Sequence, residues 1–231
     1  MAINDYKDPI GRHTELNPKL WEGDRLKSSV RGALLRIAED FLDFVGVPVE
    51  VLDVVLAGGN ANINYSEHSD IDLHIVADYS QTPCDREAEE LFDAKRLLYK
   101  RDHKIEIFGI PVELYIEDHR TPAVTASYSI LNKEWINRPP ETVPEFDEAE
   151  VKRMVEVWHQ IIKHAIMSGE LSTARTAMRL LRTYRKKGLR TQDGEFSVAN
   201  LVYKSLRNDH TVEGLMTLIN HLHDRQLSLG L

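Results

Sequence analysis

The sequence predicts an α+β fold: a small mixed β-sheet with flanking helices, followed by an all-helical C-terminal domain. Three observations carry this expectation. Leu26, Val30, Leu34, Ile37, Phe41 and Phe44 recur at the spacing of one helix face. Val49–Ala57 and Asp70–Ala77 are short apolar runs rich in β-branched residues, and the pair Gly58-Gly59 ends the first of them. Beyond the proline-rich stretch from Asn137 to Pro144, the pattern becomes helical throughout. A boundary near Pro144 gives an α+β domain over 1–143 and a helical domain over 144–231.

Taken in order, residues 1–23 read as an irregular lead-in broken by Pro9, Gly11, Pro18 and Gly23. A helix is expected from about Asp24 to Val45, stopped by Gly46 and Pro48. A strand over Val49–Ala57, a loop over Asn60–Ser69 and a strand over Asp70–Ala77 follow. Thr82-Pro83 marks a turn, and a helix from about Cys84 to Lys100 buries Ala88, Leu91, Phe92, Lys95 and Leu98. Alternating runs on either side of Gly109-Ile110-Pro111 predict a hairpin, and Thr125–Leu131 a short further strand. The last four helices are expected over Phe146–Met167, Leu171–Lys187, Ser197–Leu206 and Thr211–Leu227, with Gly188 ending the second.

Composition narrows the function classes. The chain has 231 residues, 42% hydrophobic and 29% charged, which is ordinary for a globular protein. No apolar run reaches the roughly 18 residues of a membrane span. Met1–Arg12 lacks the apolar centre of a secretory signal. Cys84 is the only cysteine, so no intrachain disulfide forms, as suits a reducing, cytoplasmic setting. A net charge of −8 argues against binding polyanions through the overall field. Arg175–Arg190, which contains no acid, is a local exception.

The chemistry is concentrated in the second strand. Side chains alternate across a strand, so Ile71, Leu73 and Ile75 enter the core while Asp70, Asp72 and His74 share the other face. Two carboxylates on neighbouring same-face positions repel each other, and a divalent cation relieves that repulsion. Mg²⁺ takes such hard oxygen ligands and is commonly shared with substrate phosphates.

An apolar strand, Gly58-Gly59, ten intervening residues and Asp70-Ile71-Asp72-Leu73 together resemble the signature of the DNA polymerase β-type nucleotidyltransferase superfamily. The likeness covers roughly residues 25–135. It is strongest toward predicted nucleotidyltransferases of tailed bacteriophages and bacteria, which also carry a segment like Tyr128-Ser129-Ile130-Leu131-Asn132-Lys133-Glu134-Trp135. The family places a third acid between apolar residues on a later strand. Glu113, in Gly-Ile-Pro-Val-Glu-Leu-Tyr, fits; Glu106 is the competing candidate.

The resemblance implies that Asp70, Asp72 and Glu113 hold two Mg²⁺ ions about 4 Å apart, with Mn²⁺ able to substitute. Asp70 and Asp72 would bind both ions. Glu113 would bind the one that activates the acceptor and would help take its proton. Gly58 and Gly59, with Asn60 and Ser69, would shape the site for the phosphates of an NTP such as ATP. Family members often carry Ser where this chain has Gly59, so here the phosphate contacts fall to backbone amides, Asn60 or Ser69. His74 is read as a hydrogen-bonding neighbour of the ligands.

Arg175, Arg179, Arg182 and Lys186 share one side of their helix, and Leu171, Ala174, Met178 and Leu181 another. The basic side is either a solvated face or a wall for NTP phosphates or a nucleic-acid backbone, with Arg179 and Arg182 as the nucleotide-binding candidates. Lys95 and Arg96 are weaker candidates for the same role. The expected activity is transfer of an NMP to an acceptor hydroxyl with release of pyrophosphate. The alternative is a non-catalytic nucleotide- or RNA-binding module. An RNA 3′ end, a protein hydroxyl, a nucleotide and a small molecule are all open as acceptor. The sequence carries no signal of oligomeric state.

Overall fold

Gly46 stops the first long helix in the left-handed conformation, φ 67°, with its N–H on the carbonyl of Leu42. That helix, α1 (Ser28–Val45), starts later than the spacing predicts. Gly23, at φ 59°, instead lets the preceding residues fold back as a two-residue hairpin, β1 (Trp21–Glu22) and β2 (Arg25–Leu26). The computed structural model describes residues 8–82, 85–121 and 125–229. Cys84, and with it the expected helix start, lies outside these.

The main sheet is mixed and the fold is α+β. It contains β3 (Glu50–Ala57), β4 (Ile71–Asp78), β5 (Glu106–Ile107), β6 (Ile110–Asp118), β7 (Ser127–Ser129) and β8 (Glu134–Asn137). The order across it is β5-β6-β4-β3-β7-β8. β4 and β6 run parallel; the other neighbours run antiparallel. A parallel pair needs a crossover, supplied by α2 (Asp85–Asp102). The turn between β5 and β6 has φ 52° at Phe108 and 78° at Gly109, the two positive values of a tight hairpin turn.

Ile71, Leu73, Ile75 and Ala77 are fully buried and share a core with Val30, Leu34 and Phe41 of α1 and Phe92 and Tyr99 of α2. Both helices therefore cover one face of the sheet, and Asp72 and His74 stand on the opposite face. The stripe of α2 differs from expectation. Ala88 and Phe92 are buried, but Leu91 and Leu98 are 41% and 42% exposed. Tyr99 takes the inward place because its ring meets Phe41 and Phe44 while its hydroxyl donates to Asp40 Oδ2 at 2.5 Å. β8 has no counterpart among the expected strands, and it takes in Asn137, where the sequence reading begins the linker. Its Trp135 stacks on Trp21 at 5.0 Å and meets Tyr128 edge-on.

By internal contacts the chain forms two compact units. One is Gly11–Val143; the other holds Pro144–Leu231 and, among the described residues before Gly11, Asp8–Ile10. The second unit contains α3 (Glu148–Ser168), α4 (Leu171–Gly188), α5 (Val198–Asn208) and α6 (Thr211–Leu227). Asp147 caps α3 by accepting from the Glu150 N–H, and Gly169 ends it at φ 64°. Gly188 is a packing glycine, not a left-handed stop: a Cβ there would lie 2.6 Å from both Ala199 Cβ and Ser197 Oγ. Trp158, Ile162, Leu181, Leu201, Leu206 and Leu215 form its interior. No described helix is long and apolar enough to cross a membrane.

Candidate functional site

Asp72 on β4 and Glu113 on β6 are register partners in the parallel pair. In-register neighbours point to the same face, so the two carboxylates leave backbones about 4.8 Å apart in the same direction. Glu106 sits on edge strand β5 opposite Pro111, with β6 between it and Asp72. One row runs across four strands: Glu113, Asp72, Ala57 and Ser127. The next contains Tyr115, His74, Val55 and Ser129.

The turn after β3 explains the double glycine. Gly58 has φ 74°, and a Cβ on it would lie 2.0 Å from Asp72 Oδ2. Any side chain would therefore occupy the place of the Asp72 carboxylate. Gly59 is held close to Ser69, whose Oγ would stand 2.9 Å from an added Cβ. Ser69 Oγ in turn accepts from the Ser66 N–H at 2.9 Å, so its hydroxyl shapes the loop.

Asn60 is 1% exposed. Its Nδ2 donates to the carbonyls of Ser69 and Asp70 at 3.1 and 2.9 Å, and its Oδ1 accepts from Asn17 Nδ2 at 2.9 Å. Its own carbonyl accepts from Trp21 Nε1 at 2.8 Å. With these groups engaged inside the protein, the Asn60 side chain fixes the chain entering β4. Asp70 is thereby held just before β4 begins at Ile71.

Sequence reasoning missed the surroundings of Glu113. Oε1 accepts from Lys100 Nζ, in the last turn of α2, and Oε2 accepts from the Tyr115 hydroxyl at 2.9 Å. Burial, then the charges of Asp72 and Glu113, push the Tyr115 phenol far above its ordinary pKa, so it remains a donor. The Arg96 guanidinium lies 4.9 Å from the Tyr115 ring centroid, and His74 stacks on that ring at 4.7 Å. His74 Nδ1 also meets Glu117 Oε1 at 3.0 Å, and this hydrogen bond holds the Glu117 carboxyl below its usual range. The one available signal was spacing: Arg96 and Lys100 fall four apart on α2, and Tyr115 two after Glu113. Ser127 Oγ is buried and has no hydrogen-bond partner among the described residues.

Hard oxygen donors on adjacent strands suit Mg²⁺, and Gly58 leaves room for the Asp72 carboxylate among them. Among the described residues, however, no three or more His, Cys, Asp or Glu side chains form a ready metal-holding group. Arg179 and Arg182 belong to α4 in the second unit, where they line a groove with α6. No family model matches the chain, and no curated protein or solved structure does either.

Proposed function

We propose that the chain is a Mg²⁺-dependent nucleotidyltransferase with a DNA polymerase β-type catalytic sheet followed by a helical domain. It would move an NMP from an NTP to an acceptor hydroxyl and release pyrophosphate. The observation that supports this reading is the pairing of Asp72 with Glu113 on parallel strands, beside a glycine that leaves room for the Asp72 carboxylate.

Asp72 and Glu113, joined by Asp70, would hold Mg²⁺, which when bound supplies charge neutralisation for in-line displacement at the α-phosphorus. The chain's own groups would do the rest. A Glu113 carboxylate oxygen released by Lys100 accepts the proton of the acceptor hydroxyl. Arg96 and Lys100 set two cations beside this carboxylate, suited to phosphate oxygens. Asn60 and Gly58 fix the backbone from which Asp70 and Asp72 project.

The test is incubation with each NTP labelled at its α-phosphate, Mg²⁺ or Mn²⁺, and a cell lysate. Label should enter one molecular class, and Asp72→Asn and Glu113→Gln should abolish transfer while circular dichroism is unchanged. Full transfer by either variant refutes the assignment.

A second reading, a nucleotide- or RNA-binding module without turnover, draws on one observation. Both oxygens of Glu113 are already engaged, by Lys100 and by Tyr115. Nucleotide binding without pyrophosphate release, across all four NTPs, would favour it.

A further inference from the structure

The second unit carries a feature that the proposed chemistry does not use. Arg175, Arg179, Arg182 and Lys186 are all exposed on α4 and fall at successive turns of one helix face. At 1.5 Å per residue the row is about 16 Å long. Among the described residues none of the four has a carboxylate partner. The row borders a groove of about 390 Å³ between α4 and α6, to which Met178, Met216 and Ile219 contribute apolar surface. Met216 is 44% exposed.

These properties select the occupant. A cation row beside an apolar strip fits a ligand with anions along one edge and aliphatic groups along the other. A single nucleic-acid strand offers phosphates, but its bases seek aromatic platforms, and no aromatic residue lines this groove. A net charge of −8 further opposes a long polyanion. A helix satisfies both requirements, because carboxylates at i, i+4, i+7 and i+11 repeat at the spacing of the cations. Its adjacent aliphatic stripe would lie on Met216, whose flexible thioether adapts to a partner surface, and on half-buried Ile219, over the buried Met178.

We propose that the α4–α6 groove docks an acidic amphipathic helix of a protein partner. The test is fluorescence anisotropy on the full chain. The probe is a labelled synthetic helix with Glu at i, i+4, i+7 and i+11 and Leu beside them. Binding is expected with a Kd of about 10–100 μM, weakening as salt rises. Arg179→Glu/Arg182→Glu should lower affinity at least about tenfold, and the same peptide with Lys in place of Glu should recover binding to that variant. Met216→Asp, which leaves the cation row intact, should weaken the Glu peptide as well. Thermal melting confirms that both variants fold.

Absence of binding overturns the proposal, as does equal binding by the wild type and the charge-reversed variant. Preferential binding of a labelled oligouridylate through the same arginines also overturns it, in favour of nucleic acid. None of these readouts involves nucleotide turnover, so their failure is separate from failure of the nucleotidyltransferase reading.

Discussion

The Asp72 carboxylate lies against the Cα of Gly58, so close that a methyl group on that carbon would stand 2.0 Å from Oδ2. The second strand of the sheet thus dictates the residue that ends the first. Gly58→Ala should cost about 1–3 kcal/mol, because it adds this clash to an unfavourable positive φ. The Asp72 Cβ would be 3.5 Å from the new methyl, an ordinary contact. The double variant Gly58→Ala/Asp72→Ala should therefore lose less stability than the sum of the singles, as measured by urea unfolding. Strict additivity would mean that the two residues do not touch in solution.

Asn60 bridges the lead-in segment and the start of β4. Asn60→Ala strands the Asn17 amide and two loop carbonyls, so a loss of about 2–4 kcal/mol is expected. Asn17→Ala leaves the Asn60 Oδ1 and the Lys19 N–H without this partner and should cost about 1–2 kcal/mol. Urea midpoints for the two variants should keep that order.

The Glu117 carboxyl is held below its ordinary pKa of 4.5 by His74. A group with a depressed folded-state pKa contributes stability that is present above the unfolded value and is lost as pH falls through the folded one. Part of the acid sensitivity of the first unit should therefore come from this pair. Glu117→Gln should flatten the urea midpoint's dependence on pH below about pH 5, where the ordinary carboxyl begins to titrate. An unchanged slope would exclude the pair as a source.

Two helical glycines should respond in opposite directions. A Cβ at Gly188 would meet Ala199 and Ser197, so Gly188→Ala should destabilise by about 1–3 kcal/mol. Around Gly214, inside α6, nothing lies within 4 Å of an added Cβ, so Gly214→Ala should stabilise by about 0.5–1 kcal/mol through helix propensity. Melting temperatures moving in the same direction would contradict the packing described.

What could be read from the sequence was whatever repeats locally. Alternation around Leu73 and Ile75 gave β4 and its carboxylate face, and the left-handed Gly46 and Gly169 closed their helices where the sequence suggested. The β5–β6 hairpin also came from local signals, but its turn is Phe108-Gly109, and Ile110 and Pro111, expected in the turn, already belong to β6. The hairpin at Trp21 and strand β8 escaped because elements this short have no period of their own. They exist because Trp21, Tyr128 and Trp135 pack together across distant parts of the chain. The inward turn of Tyr99 depends on Asp40, and the burial of Asn60 on Asn17, partners that no local pattern announces. The engagement of Glu113 by Lys100 is long-range in the same sense, since it requires the crossover to be in place.

Because β4 and β6 lie side by side in the same direction, Asp72 and Glu113 cannot become neighbours through any simple reversal of the chain. The whole of α2 and the β5 turn must first be laid down between them. The meeting of the two carboxylates is thus a long-range contact, with a larger loop-closure cost than the β5–β6 hairpin beside it.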